Sequence, residues 1–469
     1  MRNAHPKYLC YPSVACVGKE TEVTVFPKDI SRAFSKEKEY ELAVIGLRDD
    51  MVSYIEQLPF DMPCYVEKGC LKFKCTFHTE QEYDIRFREK GGGTVKIAMY
   101  AVESDLYGLR PLKGELHTHS YYSDGDDGVP MVPADYREEG FDFFALTDHN
   151  RMYTSKLLPQ LYEGIPLGMT MLPGEEIHTP GSCLHIVHIG GKYSVCEKYI
   201  KHREAFEAEV LEIEKDLGYV KEQYRHRMAL ARWACREIKK AGGVSIFAHP
   251  FWKSNIYNVS EEFCNLLFDA KIFDVFELFN GADVHLDNLQ ISLWQEQLLK
   301  GNNMPVVGSS DSHNHDFAAD GFGRCFTIAF AKSNQQEDIM EAIKNGLCVA
   351  AEMPIRVDDE ARFFAAQYRL VSFARFLWEH YFNETWRLCV GEGVLMRRYA
   401  EGEMVADALG TLAGSVEDFY KRFYGLTPVN GLEARCLEYL ETVKKAQLES
   451  QLETKGSYIF LYGKNARRI

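Results

Sequence analysis

The chain has 469 residues, too many for one ordinary domain, and its 46% hydrophobic and 13% aromatic content is enough to build real cores. A formal net charge of -15 argues against a general nucleic-acid-binding surface, which needs a basic face, but leaves room for a local basic pocket that takes a phosphate. No stretch approaches the roughly 20 apolar residues needed to cross a bilayer, and residues 1–19 carry no apolar run of signal-peptide length, so a soluble, cytoplasmic protein with no membrane partner is expected.

Residues 1–110 are expected to form a β-sandwich-like domain. Thr21–Phe26 alternates with period two, and Tyr40–Ile45, Leu71–Phe77, Tyr83–Phe87 and Thr94–Tyr100 are further strands. Turn signals such as Pro27–Asp29, Glu67–Gly69 and Gly91–Gly93 separate them. The thirteen cysteines are odd in number and irregularly spaced, which points to reduced thiols rather than a disulfide framework. Cys64, Cys70 and Cys75 leave a structural zinc as an alternative there, although no second ligand pair has finger-like spacing.

From 111 to 355 strands and helices alternate. The strands are Gly114–His119, Phe143–Thr147, Thr170–Pro173, His185–Ile189, Val244–Ala248, Val275–Phe279 and Pro305–Gly308. Repeating β-then-α units predict a mostly parallel sheet, and this number of them predicts a barrel. Glu197–Ala241 reads as long and helical, with Gly218 as a break and Gly242-Gly243 as the stop. Residues 356–469 read as a mainly helical extension, with Arg362–Phe382 rich in aromatics at helical spacing and Leu432–Gln451 a charged amphipathic helix. Neither terminal region carries a signature of chemistry.

The chemistry lies at the tips of the central strands. His117 and His119 are two apart, so in extended backbone both imidazoles point to one face. Asp124 follows in a tight Ser-Asp-Gly turn. Further apolar runs carry Asp148-His149, Glu175-Glu176, His185 or His188, His249, and Asp311 with His313. In a parallel barrel the carboxyl ends of the strands share one mouth, where active sites are built. Six successive apolar segments each carrying a metal-type residue predict a metal centre there. The mixed nitrogen and oxygen donors suit Mn, Fe or Zn better than Ca or Mg.

The ordered set His117-x-His119, Ser123-Asp-Gly125, Thr147-Asp-His149, Gly174-Glu-Glu-Ile177, His185, Ala248-His-Pro250, Glu277-Leu-Phe-Asn280 and Asp311-Ser-His313 resembles the PHP (polymerase and histidinol phosphatase) family across residues 112–350. The resemblance implies a distorted seven-stranded β/α barrel, two to three divalent metal ions and phosphoester hydrolysis. It implies that His117, His119, Glu176 and Asp311 hold a first metal. Glu176 then bridges to a second, held also by His185 and His249, and Asp124, His149 and His313 hold a third. Within the two ambiguous pairs, the family's Gly-x-Glu-Ile pattern selects Glu176 over Glu175, and its His-Ile-Val register selects His185 over His188. Asp148 is expected to support His149 or to cap the following turn, and Glu277 to play a supporting or structural part.

The mechanism expected is in-line attack of a metal-activated hydroxide on a phosphomonoester, with Asp311 or His249 assisting proton transfer. Arg324 is the first candidate for the cation that steadies the phosphate, ahead of Arg151, Lys253 and the Arg225–Arg227 cluster. The substrate is expected to be a small phosphorylated metabolite or a nucleotide, with short oligonucleotides and a homo-oligomeric state also open. Hydrolysis of a non-phosphate ester or amide, and a non-catalytic metal-bound binding module, are the competing readings.

Overall fold

The computed structural model describes residues 7–48, 59–281, 284–316, 321–353 and 360–461. These fall into two compact units. One runs from Gly108 to Phe419, and the other joins the residues up to Tyr107 with those from Tyr420 onward. The helical stretch after residue 356 is thus divided between the units.

In the second unit, strands β1 (Tyr8–Tyr11), β2 (Val14–Cys16), β3 (Glu20–Pro27), β4 (Tyr40–Gly46), β5 (Cys64–Glu67), β6 (Cys70–Thr76), β7 (Gln81–Glu89) and β8 (Val95–Val102) form two sheets, ordered β1-β3-β6-β5 and β2-β8-β7-β4. Alternate residues of both sheets, among them Val23, Val25, Leu42, Phe73, Ile85 and Met99, meet in one core. The period-two pattern is the cause, since each strand buries one face and wets the other. A helix, Asn430–Leu461, adds Cys436 to a smaller cluster with Tyr11, Phe26 and Cys70. Its Glu433 carboxylate reaches Lys72 at 2.6 Å. Cys70 therefore faces this helix, whereas Cys64 and Cys75 pack against the sandwich core. That division separates the three thiols that would have to converge on a zinc.

The first unit is built on one ten-stranded sheet. Its strands are β9 (Arg110–Glu115), β10 (Phe143–Leu146), β11 (Thr170–His178), β12 (His185–Ile189), β13 (Val244–Phe247), β14 (Val275–Phe279), β15 (Val306–Gly308), β16 (Cys325–Ala331), β17 (Cys348–Glu352) and β18 (Arg362–Phe364). The order is β15-β14-β13-β12-β11-β10-β9-β16-β17-β18. The sheet curls until β15 meets β16, where Thr327 Oγ1 donates to the Gly308 carbonyl at 2.9 Å and accepts from its N–H at 3.1 Å. Only glycine fits at this seam, because a Cβ on residue 308 would lie 2.6 Å from the Phe326 carbonyl oxygen. Every strand from β9 to β17 sends an apolar side chain, such as Leu112, Phe143, Leu172, Val187, Ile246, Val275, Val307 and Ala329, into one inner cluster. Each fully buried Leu, Ile, Val or Phe among them contributes about 1.5–3 kcal/mol.

Three expectations change here. The sheet has ten strands where seven were expected, because β16, β17 and β18 continue it antiparallel beyond β9. Nor is it mostly parallel, since β12 runs antiparallel to both β11 and β13, and β9, β16, β17 and β18 pair antiparallel in turn. Arg362–Phe364, read as the start of a helix, is the edge strand β18, and the aromatic-rich helix begins at Tyr368. The helical stretch 197–241 is three helices, Cys196–Lys201, Arg203–Lys215 and Glu222–Ala241, broken around Gly218 and stopped by Gly242 in the left-handed conformation (φ 79°).

A short helix after β9, Val132–Glu138, is clamped to the C-terminal helix Asn383–Ala400 by a buried ion cluster. Arg137 Nε donates to Glu392 at 2.8 Å, and Nη1 donates to the Phe141 carbonyl at 2.8 Å and lies 3.3 Å from Asp142. None of the described helices is long and apolar enough to cross a membrane.

Candidate metal centre

Each strand delivers its donor to the same mouth. Chain leaving β9 carries His117 and His119 in extended backbone, fixed by a parallel bridge between Thr118 and Ser312. β10 leads to Asp148-His149, β13 to His249 and β15 to Asp311 and His313, in each case just past the carboxyl end of the strand. β12 is reversed, so His185 stands at its first residue and reaches the same mouth from the opposite chain direction. The rule that donors follow strand ends therefore holds for the mouth and not for the chain sense.

Glu176, fully buried on β11, is the hub. Its Oε1 faces His185 Nδ1 at 2.8 Å, His249 Nε2 at 3.3 Å and His117 Nε2 at 3.5 Å. Its Oε2 faces His149 Nδ1 at 2.6 Å, His178 Nε2 at 3.3 Å and His119 Nε2 at 3.5 Å. Asp311 Oδ1 lies 3.1 Å from His117 Nε2 and 3.0 Å from His119 Nε2. On the outer side Asp124, with its side chain 52% exposed, is 3.1 Å from His149 Nε2 and 3.4 Å from His313 Nε2.

These residues form overlapping groups that could hold a metal ion: His117-His119-Glu176-Asp311, Glu176-His185-His249, and His119-Asp124-His149-His313 among others. The donor atoms fit such an ion. Among the described residues His117 Nε2, His149 Nδ1, His178 Nε2, His185 Nδ1 and Glu176 Oε2 are buried without a hydrogen-bond partner, although each of these nitrogens lies within 3.5 Å of a Glu176 oxygen. Close-set nitrogen and oxygen donors that do not hydrogen-bond to one another are free to share a cation.

The charge balance is consistent with this. Burial alone would raise the Glu176 and Asp311 carboxyls, but the imidazoles around them hold both well below the ordinary carboxylate range. Burial would lower His117, yet Asp311, Glu277 and Glu176 hold it well above the ordinary histidine value. His185 is pushed down to about 4 by burial, against the pull of Glu176, so its ring is neutral and one nitrogen lone pair is available. The cluster carries fixed negative charge that a divalent ion would satisfy.

A supporting layer positions the donors. Glu277, on β14, accepts from His117 Nδ1 at 2.9 Å and from the His249 backbone N–H at 3.0 Å, which aims both imidazoles inward. Asn280 Nδ2 donates to Glu277 and to Asp311 Oδ2, each at 3.2 Å. His313 Nδ1 donates to the Asp311 carbonyl at 2.8 Å, leaving Nε2 toward Asp124. Asp148 caps the loop that follows His119, accepting from the Ser120 N–H and hydroxyl and from Ser123 Oγ at 2.7–2.8 Å. Gly125 closes this loop, since a Cβ there would lie 2.7 Å from the His119 carbonyl oxygen. Asp311 adopts φ 52°, a left-handed backbone that a non-glycine residue holds at a cost of about 1–3 kcal/mol and that recurs at functional sites.

The members of the two ambiguous pairs face different ways. Glu175 and His188 point away from the mouth and bond each other at 2.9 Å, with Ser194 and the Val195 N–H completing the carboxylate. Arg324 is not brought to the donor cluster. Its side chain is buried near Asp287, with no hydrogen-bond partner for Nε and Nη2 among the described residues. Arg151 is the guanidinium at the mouth, where Nε donates to the His149 carbonyl at 3.2 Å and Nη1 to the Tyr122 carbonyl. Arg225 and Arg227 are tied to the carbonyls of Val220 and Asn258. Sequence reasoning missed His178. Its only signal is its place two residues after Glu176 on one strand, which puts both side chains on one face.

No family model matches the chain, and no curated protein matches it. Solved structures do show likeness. One is a two-domain protein from Bacteroides vulgatus containing a predicted PHP-like metal-dependent phosphoesterase, with 23% identity, TM-score 0.37, and 52% of this chain aligned to 65% of that one. The match thus spans a little less than two-thirds of that protein. A second, from Bifidobacterium adolescentis and likewise predicted to be a metal-dependent phosphoesterase, shows 19% identity and TM-score 0.32 over 43% of this chain and 87% of that one. A third, an amidohydrolase from Chromobacterium violaceum, shows 16% identity and TM-score 0.29 over 52% of this chain and 92% of that one. At such values likeness does not carry activity from one protein to another.

Proposed function

We propose that the chain is a metal-dependent phosphoesterase that hydrolyses a phosphomonoester of a small metabolite or nucleotide at a site for three divalent cations of the Mn, Fe or Zn type. The observation that carries the reading is the convergence of unpartnered imidazole and carboxylate atoms on Glu176 at one barrel mouth. His117, His119, Glu176 and Asp311 would hold one cation, Glu176 with His185 and His249 a second, and Asp124, His149 and His313 a third. Bound there, the cations would acidify a coordinated water and neutralise charge on a phosphoryl group.

The protein's own groups account for the rest. Glu277 fixes the His117 tautomer so that Nε2 presents its lone pair to the site. Asp311 Oδ2, which accepts from Asn280 and lies 3.7 Å from His249 Nε2, is placed to hold a proton during turnover. Arg151, anchored beside His149, supplies positive charge where a phosphate oxygen would enter. Buried Arg324 is the weaker candidate for that part.

The test is phosphate release by Mn-supplied protein from an aryl phosphate and a panel of nucleotides and sugar phosphates. Release by the wild type, lost in His117→Ala/His119→Ala, is expected. Bound metal with no release across the panel, or full activity in that variant, would overturn the proposal.

A further inference from the structure

We infer that Trp252 determines specificity, and that the ester this site takes has a leaving group with a flat aromatic ring, which stacks on the exposed indole. The inference rests on the phosphoesterase reading above and narrows its substrate class.

The open side of the cluster is marked by imidazoles that are only partly buried, among them His149, His178 and His185. Their rings form a row, with 4.3 Å between the centroids of His149 and His178 and 3.7 Å between those of His178 and His185. The two ends of the row differ. At one, Arg151 is anchored on the His149 carbonyl and supplies positive charge. At the other stands Trp252, whose ring centroid lies 6.3 Å from that of His185 and whose plane is inclined to it by 30°. His185 Nδ1 is itself 2.8 Å from Glu176 Oε1, so a single side chain separates the indole from the hub of the cluster. A phosphoryl group held over Glu176 and attacked from the cation side has its leaving group directed outward. Trp252 stands on that way out.

The exposure of this indole is held in place by its backbone. Trp252 is 39% exposed, yet its N–H donates to the His249 carbonyl at 3.0 Å and its carbonyl accepts from the Asn258 N–H at 3.0 Å. The Val259 N–H donates to the Pro250 carbonyl at 2.9 Å and closes the loop. The neighbouring Phe251 is buried and packs on Tyr257 at 5.6 Å between centroids. Apolar side chains exposed singly on a surface are ordinary. An indole fixed open on a hydrogen-bonded loop, beside a residue that faces the hub, is a different case. Ile256 and Tyr257 of the same loop are exposed as well, and from Phe251 to Val259 only Lys253 is charged, in a chain of net charge -15. A polyol leaving group is held by several directed hydrogen bonds, whereas a flat ring needs a π-face. The indole supplies that face.

The experiment compares Mn-supplied wild type, Trp252→Ala and Trp252→Phe, with metal content and circular dichroism checked to be equal in all of them. Turnover is read on a nucleoside monophosphate, phenyl phosphate and glycerol phosphate. Binding is read by calorimetry on unreactive phosphonates, a nucleoside phosphonate and benzylphosphonate against methylphosphonate. The wild type should favour ring-bearing ligands in both sets. Trp252→Ala should lose about 5–150-fold in kcat/KM and in affinity on the nucleoside pair, the aryl pair or both, which is what one stacked ring contributes. Glycerol phosphate and methylphosphonate should keep their wild-type values, and Trp252→Phe, which returns a π-face, should recover most of the loss. A loss on the nucleoside pair alone assigns the ring to a nucleobase, and a loss on the aryl pair extends it to aryl groups in general. Equal effects on ring-bearing and ringless ligands, or no effect on any, would overturn the inference while phosphate release by the wild type leaves the phosphoesterase reading standing. No release and no phosphonate binding by the wild type would remove that reading, and the inference with it.

Discussion

Replacing Glu277 with Gln tests whether the supporting layer aims the donors. The change keeps size and shape but removes the charge and half of the acceptor capacity. Glu277 meets three donors: His117 Nδ1 at 2.9 Å, the His249 N–H at 3.0 Å and Asn280 Nδ2 at 3.2 Å. A carboxylate accepts all three. A glutamine has one carbonyl oxygen and an NH2, so whichever way it turns, an N–H faces another N–H. One outcome is that His117 flips its tautomer and turns a proton toward the cation. The other is that the His249 amide loses its partner, at about 1–3 kcal/mol for a buried donor. Loss of an orienting group behind a ligating histidine lowers metal affinity by about 10–100-fold, or about 1.4–2.7 kcal/mol. Competition titration of Mn or Zn against a chromophoric chelator measures the affinity, and a thermal melt of the metal-free variant reports folding. A folded variant with wild-type affinity would refute the reasoning.

Two further outcomes concern the frame that carries the site. Arg137→Met should lower stability by about 3–5 kcal/mol, because Glu392 and Asp142 would be left charged and buried; chemical denaturation followed by fluorescence reads this, and a loss below about 1 kcal/mol would contradict it. Asp287 is pushed up to about 8, first by burial and then by Glu352, so its folded-state value lies above the unfolded one. The stability it contributes is full at low pH and is lost as pH rises through about 8. Asp287→Asn, which keeps an acceptor for the Asn280 N–H, should gain on the wild type by on the order of a few kcal/mol between pH 4 and pH 9, and equal melting curves across that range would show the argument wrong.

Much of the site could be read from the chain because barrel strands are covered on both faces. They appear as short apolar runs, such as Phe143–Leu146 and Val244–Phe247, and a histidine or carboxylate just beyond such a run stands out. The same logic misjudged β12, whose pattern says nothing of direction, so its reversal and the place of His185 at its first residue came only from the pairing register. His178 shares a face of β11 with Glu176 by strand periodicity, but the pattern of one donor at each strand tip does not single it out. Glu277 was placed among supporting residues, but its partners are 160 and 28 positions away and could not be named from sequence. Arg324 drew attention by its position after the last motif, and burial beside Asp287 takes it out of the donor cluster. The clamp between Arg137 and Glu392 spans 255 residues and leaves no local trace.

The central claim is that Glu176 is shared by the cations of one cluster, and elemental analysis of chelator-free wild type and Glu176→Gln tests it most directly. With six imidazole nitrogens facing its two oxygens, this residue belongs to three of the groups that could hold an ion. The account predicts about two to three equivalents of divalent metal per wild-type chain and at most about one in the folded variant, since the two ions that share Glu176 lose an anionic ligand. A full complement of metal in Glu176→Gln, or none in the wild type after reconstitution with Mn, Fe or Zn, would contradict it.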